Sequence, residues 1–286
     1  MRTSKVDTST GTSTNTRSSS PASTEGHRIV SRDEWIVERK ALLAREKELT
    51  HLRDRLAAER RTLPWVRVEK NYVFDTPDGG RTLADLFDGR RQLLVQHFMY
   101  APGWEQGCPS CSFMADHSDG MNAHLAHRDV TLVAVSRATL PEIERFRRRM
   151  GWRFKWVSSY GSDFNYDFGV SFTREQVAQA PIDYNYGLWP HAYEEWPGIS
   201  VFFRNGANEV FHTYSTYGRG VEVMMGTYNM LDLMPKGRDE SNVEYKMEWV
   251  RHHDRYEAQP VARAQTPGST GSVDVLFDAL KYGCCH

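Results

Sequence analysis

The chain has 286 residues, 40% of them apolar and 12% aromatic, with a formal net charge of −1. This is the composition of a globular chain with enough apolar surface for one large domain or two small ones, and its near-neutrality excludes the broad positive field that gathers nucleic acid or an anionic membrane surface. There is no run of eighteen apolar residues to span a membrane and no apolar core of a secretory signal, and the four cysteines are too few for the disulfide framework of a small secreted domain, so a cytoplasmic location is expected.

Residues 1–27 are mostly Ser, Thr and Gly, too poor in apolar surface to offset chain entropy, and are expected to be disordered. Residues 28–62 read as an amphipathic helix capped by Ser31 or Asp33. Leu42, Leu49, Leu52, Leu56 and Leu63 make a single stripe, and Pro64 ends it. That stripe serves either to pack on the main domain or to join two copies as a homodimer.

The main domain is expected over residues 63–257. It begins with a strand over 67–74, a turn at Pro77-Asp78-Gly79-Gly80 and a short helix over 82–87 capped by Thr82. An apolar strand over 93–99 leads to a helix from Cys108 to about His127. A strand buried on both faces follows over 130–136, then a helix over 140–150 with Pro141 in its first turn. Residues 174–197, dense in aromatics and prolines, read as an insertion lying over the sheet. Residues 199–203 and 209–214 form a hairpin about Arg204-Asn205-Gly206-Ala207. Strand, helix, strand, helix and hairpin predict an α/β fold with a central mixed sheet. Residues 258–286 are a polar linker and a tail ending Cys284-Cys285-His286. That tail is either frayed or able to pass electrons to the other cysteines or bind a soft metal ion.

The chemistry is concentrated in Gly107-Cys108-Pro109-Ser110-Cys111-Ser112, a C-x-x-C between strand and helix. A sulfur at a helix start sits over unpaired N–H groups, which favour the thiolate and lower its pKa. Cys108 would attack and Cys111, one turn later, would resolve. The same pair is also half of a copper or zinc site, with His97 on the preceding strand as third ligand, or two small buried side chains. Alternatively, His97 could act as a base toward the resolving thiol.

The order of elements resembles the thioredoxin superfamily. The long approach Tyr100-Ala-Pro-Gly-Trp104-Glu105-Gln-Gly-Cys108 and the later Tyr166-Asp-Phe-Gly-Val170 are similar to its peroxiredoxin-like branch. Leu63-Pro-Trp-Val-Arg-Val-Glu-Lys70, the cysteine motif, Val130-Thr-Leu-Val-Ala-Val-Ser-Arg137, Gly161-Ser-Asp-Phe-Asn-Tyr-Asp-Phe168 and Phe211-His-Thr-Tyr-Ser-Thr216 together resemble the bacterial domain of unknown function 899 family. Members of that family are often labelled dithiol-disulfide oxidoreductase. The resemblance implies a three-layer thioredoxin-like fold carrying an N-terminal helical extension and an aromatic-rich insertion.

It also implies a redox-active Cys108–Cys111 pair that needs no cofactor and acts on a disulfide or small-molecule substrate. Glu105 stands where a peroxiredoxin carries Thr or Ser, and with Asp116 it is a candidate buried proton carrier. Pro197 is the candidate for the cis-proline that faces a thioredoxin disulfide, and Trp104, Pro197 and His212 are candidate substrate-binding residues. His117, His124 and His127 on the presumed helix are expected to be solvated, and the Arg145-Phe-Arg-Arg-Arg149 run is read as an exposed helix face too short to argue for nucleic acid.

Overall fold

The computed structural model describes residues 23–24, 26–191 and 193–257. The segment up to residue 22, the linker from 258 and the terminal Cys284-Cys285-His286, with the roles expected of them, lie outside the described residues. The chain divides after Thr62 into two compact units.

In the first unit, β1 (Ser23–Thr24) and β2 (His27–Arg28) pair antiparallel within the stretch expected to be disordered. The helix α1 (Arg32–Thr62) follows and runs for 31 residues. Ser31 begins it. Its N–H and hydroxyl donate to the Glu34 carboxylate at 2.9 and 2.7 Å, and the Glu34 N–H donates back to Ser31 Oγ at 3.3 Å. This reciprocal cap satisfies donors that the first turn leaves free. No residue of α1 is buried.

The described residues of the second unit contain ten strands: β3 (Val66–Arg67), β4 (Val73–Thr76), β5 (Gly79–Thr82), β6 (Gln92–His97), β7 (Val130–Ser136), β8 (Lys155–Ser158), β9 (Ile182–Tyr184), β10 (Gly187–Trp189), β11 (Gly198–Arg204) and β12 (Val210–Tyr217). Eight of them form one sheet in the order β3-β12-β11-β6-β7-β8-β4-β5, and β9 and β10 pair separately. β6, β7 and β8 are mutually parallel, whereas β11 runs antiparallel to both β6 and β12. The helices α2 (Pro109–Ala115) and α3 (Ser118–His127) cross from β6 to β7, and α4 (Leu140–Arg149) crosses from β7 to β8. Among the described residues there are three further short α-helices: α5 (Phe164–Asp167), α6 (Arg174–Ala178) and α7 (Gly226–Leu231). A parallel pair joined by a helical crossover and extended by an antiparallel hairpin, in the order β12-β11-β6-β7, is the thioredoxin-like arrangement.

Three elements differ from their sequence expectation. The strand expected over 67–74 is two short strands on opposite flanks of the sheet, β3 beside β12 and β4 between β8 and β5. The helix expected from Thr82 is a single 3-10 turn over Asp85–Phe87, held by Thr82 Oγ1 donating to Asp85 at 2.7 Å. The long helix expected to reach His127 breaks between α2 and α3 because the two pieces have different surroundings. Every residue of α2 is buried, but in α3 only Ser118 is.

The sheet separates two apolar clusters, and strand alternation decides which residue joins which. Leu93 and Val95 pack with Phe74, Phe87, Phe164 and Phe202 on one face. On the other, Leu94 and Ile199 pack with Cys108, Cys111, Phe146 and Trp156. The aromatic insertion joins Val170, Phe172 and Tyr217 in a third, smaller cluster, in which the Tyr184 and Trp196 rings lie 4.3 Å apart.

Candidate functional site

Cys108 is the N-cap of α2, with Pro109 at the first helical position. Its backbone is fixed from both sides. The Cys108 N–H donates to the Met99 carbonyl at 3.0 Å, and the Cys108 carbonyl accepts the Ser112 N–H at 3.0 Å and the Ser112 hydroxyl at 2.9 Å. Gly107 immediately before it lies against aromatic rings, where a Cβ would stand 2.5 Å from Phe98 Cε1 and 2.9 Å from Phe146 Cε1. Only glycine allows that close approach.

Neither Cys108 nor Cys111 is in a disulfide, and both are buried. A hydrogen bond from the Cys111 side chain, together with the N–H groups of Cys111 and Ser110, lowers the Cys108 pKa below the ordinary thiol value against the opposing effect of burial.

His97 is not part of this network. Because side chains alternate along β6, Gln96 faces α2, donating Nε2–H to the Cys111 carbonyl at 3.2 Å, while His97 faces the opposite side of the sheet. There its Nε2 lies 2.8 Å from Ser200 Oγ and its ring stacks on Phe168. Burial, with His212 nearby, pushes its pKa down to about 3. The roles of His97 as base for Cys111 and as third metal ligand are therefore corrected. Among the described residues no group of three His, Cys, Asp or Glu side chains could hold a metal ion.

His97 instead begins a hydrogen-bonded row. Ser200 Oγ is 2.7 Å from Ser215 Oγ, which is 2.7 Å from His212 Nε2. His212, assigned to the substrate wall, thus stands on the face away from the cysteines.

The other expected residues divide. Glu105 is exposed on the loop before Cys108, so it is not a buried proton carrier. Asp116 accepts from the Trp152 indole at 2.8 Å and lies 2.6 Å from His253 Nδ1, which makes it a tether. Trp104 packs half-buried against the cysteine cluster. Pro197 is buried beside the carboxyl end of β6, where Gly198 pairs with His97, and its carbonyl accepts from Tyr184 OH at 2.7 Å. Its peptide bond is trans, since the cis bond among the described residues is Ala180–Pro181. The geometric feature that Pro197 was expected to supply is therefore absent.

One part of the site carried no sequence signal. The segment 218–252, largely without regular structure, lies across α2 and adds Val221, Met224, Met225, Tyr228, Met247 and Val250 to the cluster that holds both cysteines. Phe113 of α2 meets the rings of Tyr228 and Trp249 edge-on at 5.4 and 5.7 Å. His117 accepts the Thr227 N–H at 3.2 Å, and His252 Nε2 lies 2.9 Å from the Gly107 carbonyl. Arg149, expected on an exposed face, reaches Asp254 at 2.8 Å and Gln106 at 2.9 Å and ties the chain just after this segment to the loop before Cys108. His124 and His127 remain exposed.

A second buried polar group stands at the carboxyl end of β7. Glu195 accepts from Arg137 Nε at 2.6 Å and from Ser171 Oγ at 2.9 Å, and burial pushes its pKa up to about 7 against the pull of Arg137.

A family model described as "Bacterial protein of unknown function (DUF899)" matches residues 24–256. The chain belongs to that family. No curated protein matches the DUF899 chain in sequence. Among solved structures it is similar to peroxidoxin BcpB from Mycobacterium tuberculosis, with 13% identity over 58% of this chain and 97% of that one and a TM-score of 0.38. It is also similar to a cysteine-to-serine mutant of PrxQ from Xylella fastidiosa, with 11% identity, 58% and 94% coverage and a TM-score of 0.37. A third is a hypothetical protein from Sinorhizobium meliloti, with 16% identity, 52% and 68% coverage and a TM-score of 0.33. Among the described residues no helix is long and apolar enough to cross a membrane.

Proposed function

We propose that the DUF899 chain is a thiol-disulfide oxidoreductase that cycles Cys108 and Cys111 between dithiol and disulfide. The observation that carries this reading is the Cys108 sulfur at the start of α2, its thiolate favoured by hydrogen bonds from Cys111 and from two backbone N–H groups. The Cys108 thiolate attacks one sulfur of a substrate disulfide. The substrate S–S bond breaks, a mixed disulfide forms, and the departing thiolate takes up a proton. Cys111 loses its proton and attacks Cys108 Sγ, releasing the second substrate thiol, so that the pair is oxidised by two electrons and the substrate is reduced by two. An external dithiol reverses the sequence and restores the pair.

Trp104 and Pro197 are the residues that a substrate approaching from the carboxyl end of β6 would meet. A copper or zinc enzyme built on the same cysteines is not favoured, because its third ligand lies across the sheet.

The test uses full-length protein reduced beforehand and a small aromatic disulfide whose released thiol absorbs. Cys108→Ser abolishes thiol release. Cys111→Ser releases a single thiol and accumulates a mixed disulfide at Cys108, identified by intact mass. Full multiple turnover in both variants overturns the reading.

A further inference from the structure

The stripe on α1 has a regular repeat. Trp35, Leu42, Leu49 and Leu56 recur every seven residues, with Leu52 three residues after Leu49. All five are exposed, between 41% and 51%. The helix buries none of its residues, so this seam is left to a partner, while Val37 and Leu43, also exposed, stand off the repeat. Charge selects the partner and its direction. Three residues after each of the other seam positions stand Glu38, Arg45 and Glu59, which also face along the seam. In a parallel pair in register each meets its own copy, so Glu faces Glu and Arg faces Arg, which is repulsive in a desolvated seam.

Turning one helix around removes all three conflicts. With the two-fold axis between Thr50 and His51, Leu49 packs on Leu52 of the other copy, Leu42 lies on the stem of Glu59 and Leu56 on the stem of Arg45. The same register sets Glu46 opposite Arg53 and Glu48 opposite Arg55, each twice by symmetry, against one symmetric like-charge pairing, Arg39 with Arg60. Sliding the antiparallel register by one heptad in either direction brings Glu46 and Glu48, or Arg53 and Arg55, onto their own copies.

We propose that α1 is a dimerisation arm that pairs with α1 of a second copy of this chain as an antiparallel coiled coil centred between Thr50 and His51. The proposal is independent of the cysteine chemistry.

The experiment uses the full chain in sedimentation equilibrium at micromolar concentration, in low and in moderate salt. The expected mass is twice that of the chain, and it halves in the double variant Leu49→Glu, Leu52→Glu, while the far-ultraviolet circular dichroism of the folded domain is retained. Orientation is read by oxidative cross-linking followed by peptide mass mapping. Leu42→Cys mixed with Glu59→Cys forms the 42–59 link, and Leu42→Cys alone forms no 42–42 link. A monomeric wild-type chain, whose seam is then covered by its own fold or by a different protein, overturns the proposal, as does a dimer that survives the double variant. A 42–42 link overturns the antiparallel direction.

Discussion

A methyl group added at Gly107 would collide with the rings of Phe98 and Phe146 one residue before Cys108. Gly107→Ala is expected to cost about 1–3 kcal/mol, the range for overpacking a filled core, read as a lower urea midpoint. The Cys108 thiol offers a separate measurement. Its folded pKa is lowered, so its contribution to stability is present above the unfolded thiol value and is lost as pH falls through the folded value. Thiolate absorbance near 240 nm, wild type minus Cys108→Ser, should therefore titrate below the pH at which a free cysteine does.

His97 works in the same direction for a different reason. Burial holds its pKa at about 3, far below the ordinary 6.5, so the unfolded chain binds a proton that the folded one refuses, and stability declines as pH falls from 6.5 toward 3. His97→Gln, which keeps a neutral donor for Ser200, is expected to flatten that slope in urea titrations across this window. An unchanged slope in the variant refutes the assignment. Sequence alone places His97 on the strand leading to the cysteines and shows the alternation of that strand. It does not show which face α2 covers, because Leu93 and Leu94 are equally apolar. Gln96, the residue that faces the pair, offered no chemical signal.

At the level of elements, the pieces read correctly from sequence are those that carry their own boundary chemistry. The hairpin turn at Asn205 is one: its Oδ1 accepts the N–H groups of Ala207 and Glu209 at 3.0 and 2.9 Å. Another is α4, where Thr139 and Glu142 form a capping box on either side of Pro141. Elements misread were those whose limits come from distant partners. Residues 67–74 read as one continuous strand, yet the place beside β12 and the place between β8 and β5 are far apart in the sheet order and pull the two ends away from each other.

The segment 218–252 has neither repeat nor period, so its attachment to α2 was invisible until the fold brought Tyr228 and Trp249 onto Phe113. An edge-to-face aromatic pair is worth about 0.5–1.5 kcal/mol beyond its buried area. Tyr228→Ala should therefore raise the rate at which the thiols of otherwise folded protein react with iodoacetamide by about two- to tenfold, with little change in the exposed helix α1. An unaltered rate would mean that the thiols are reached by another route.

Across the whole second unit, the sheet keeps two kinds of chemistry apart. The cysteines and Trp104 occupy one face, and the His97–Ser200–Ser215–His212 row occupies the other. Glu195 and Arg137 stand near the edge where the strands β6 and β7 end. Both sulfurs are 2% exposed or less beneath the segment tied down by Arg149, His117 and His252. A thiol protected in this way reacts only while its cover is lifted, so its chemistry inherits the statistics of a local opening. At low reagent concentration the reaction reports how often the covered state is open. At high concentration it reaches a ceiling set by how fast the cover lifts, however reactive the electrophile. If the pair cycles as proposed, the cover would act as a clock for it, and two disulfides of very different intrinsic reactivity would be reduced at one common rate once both are abundant.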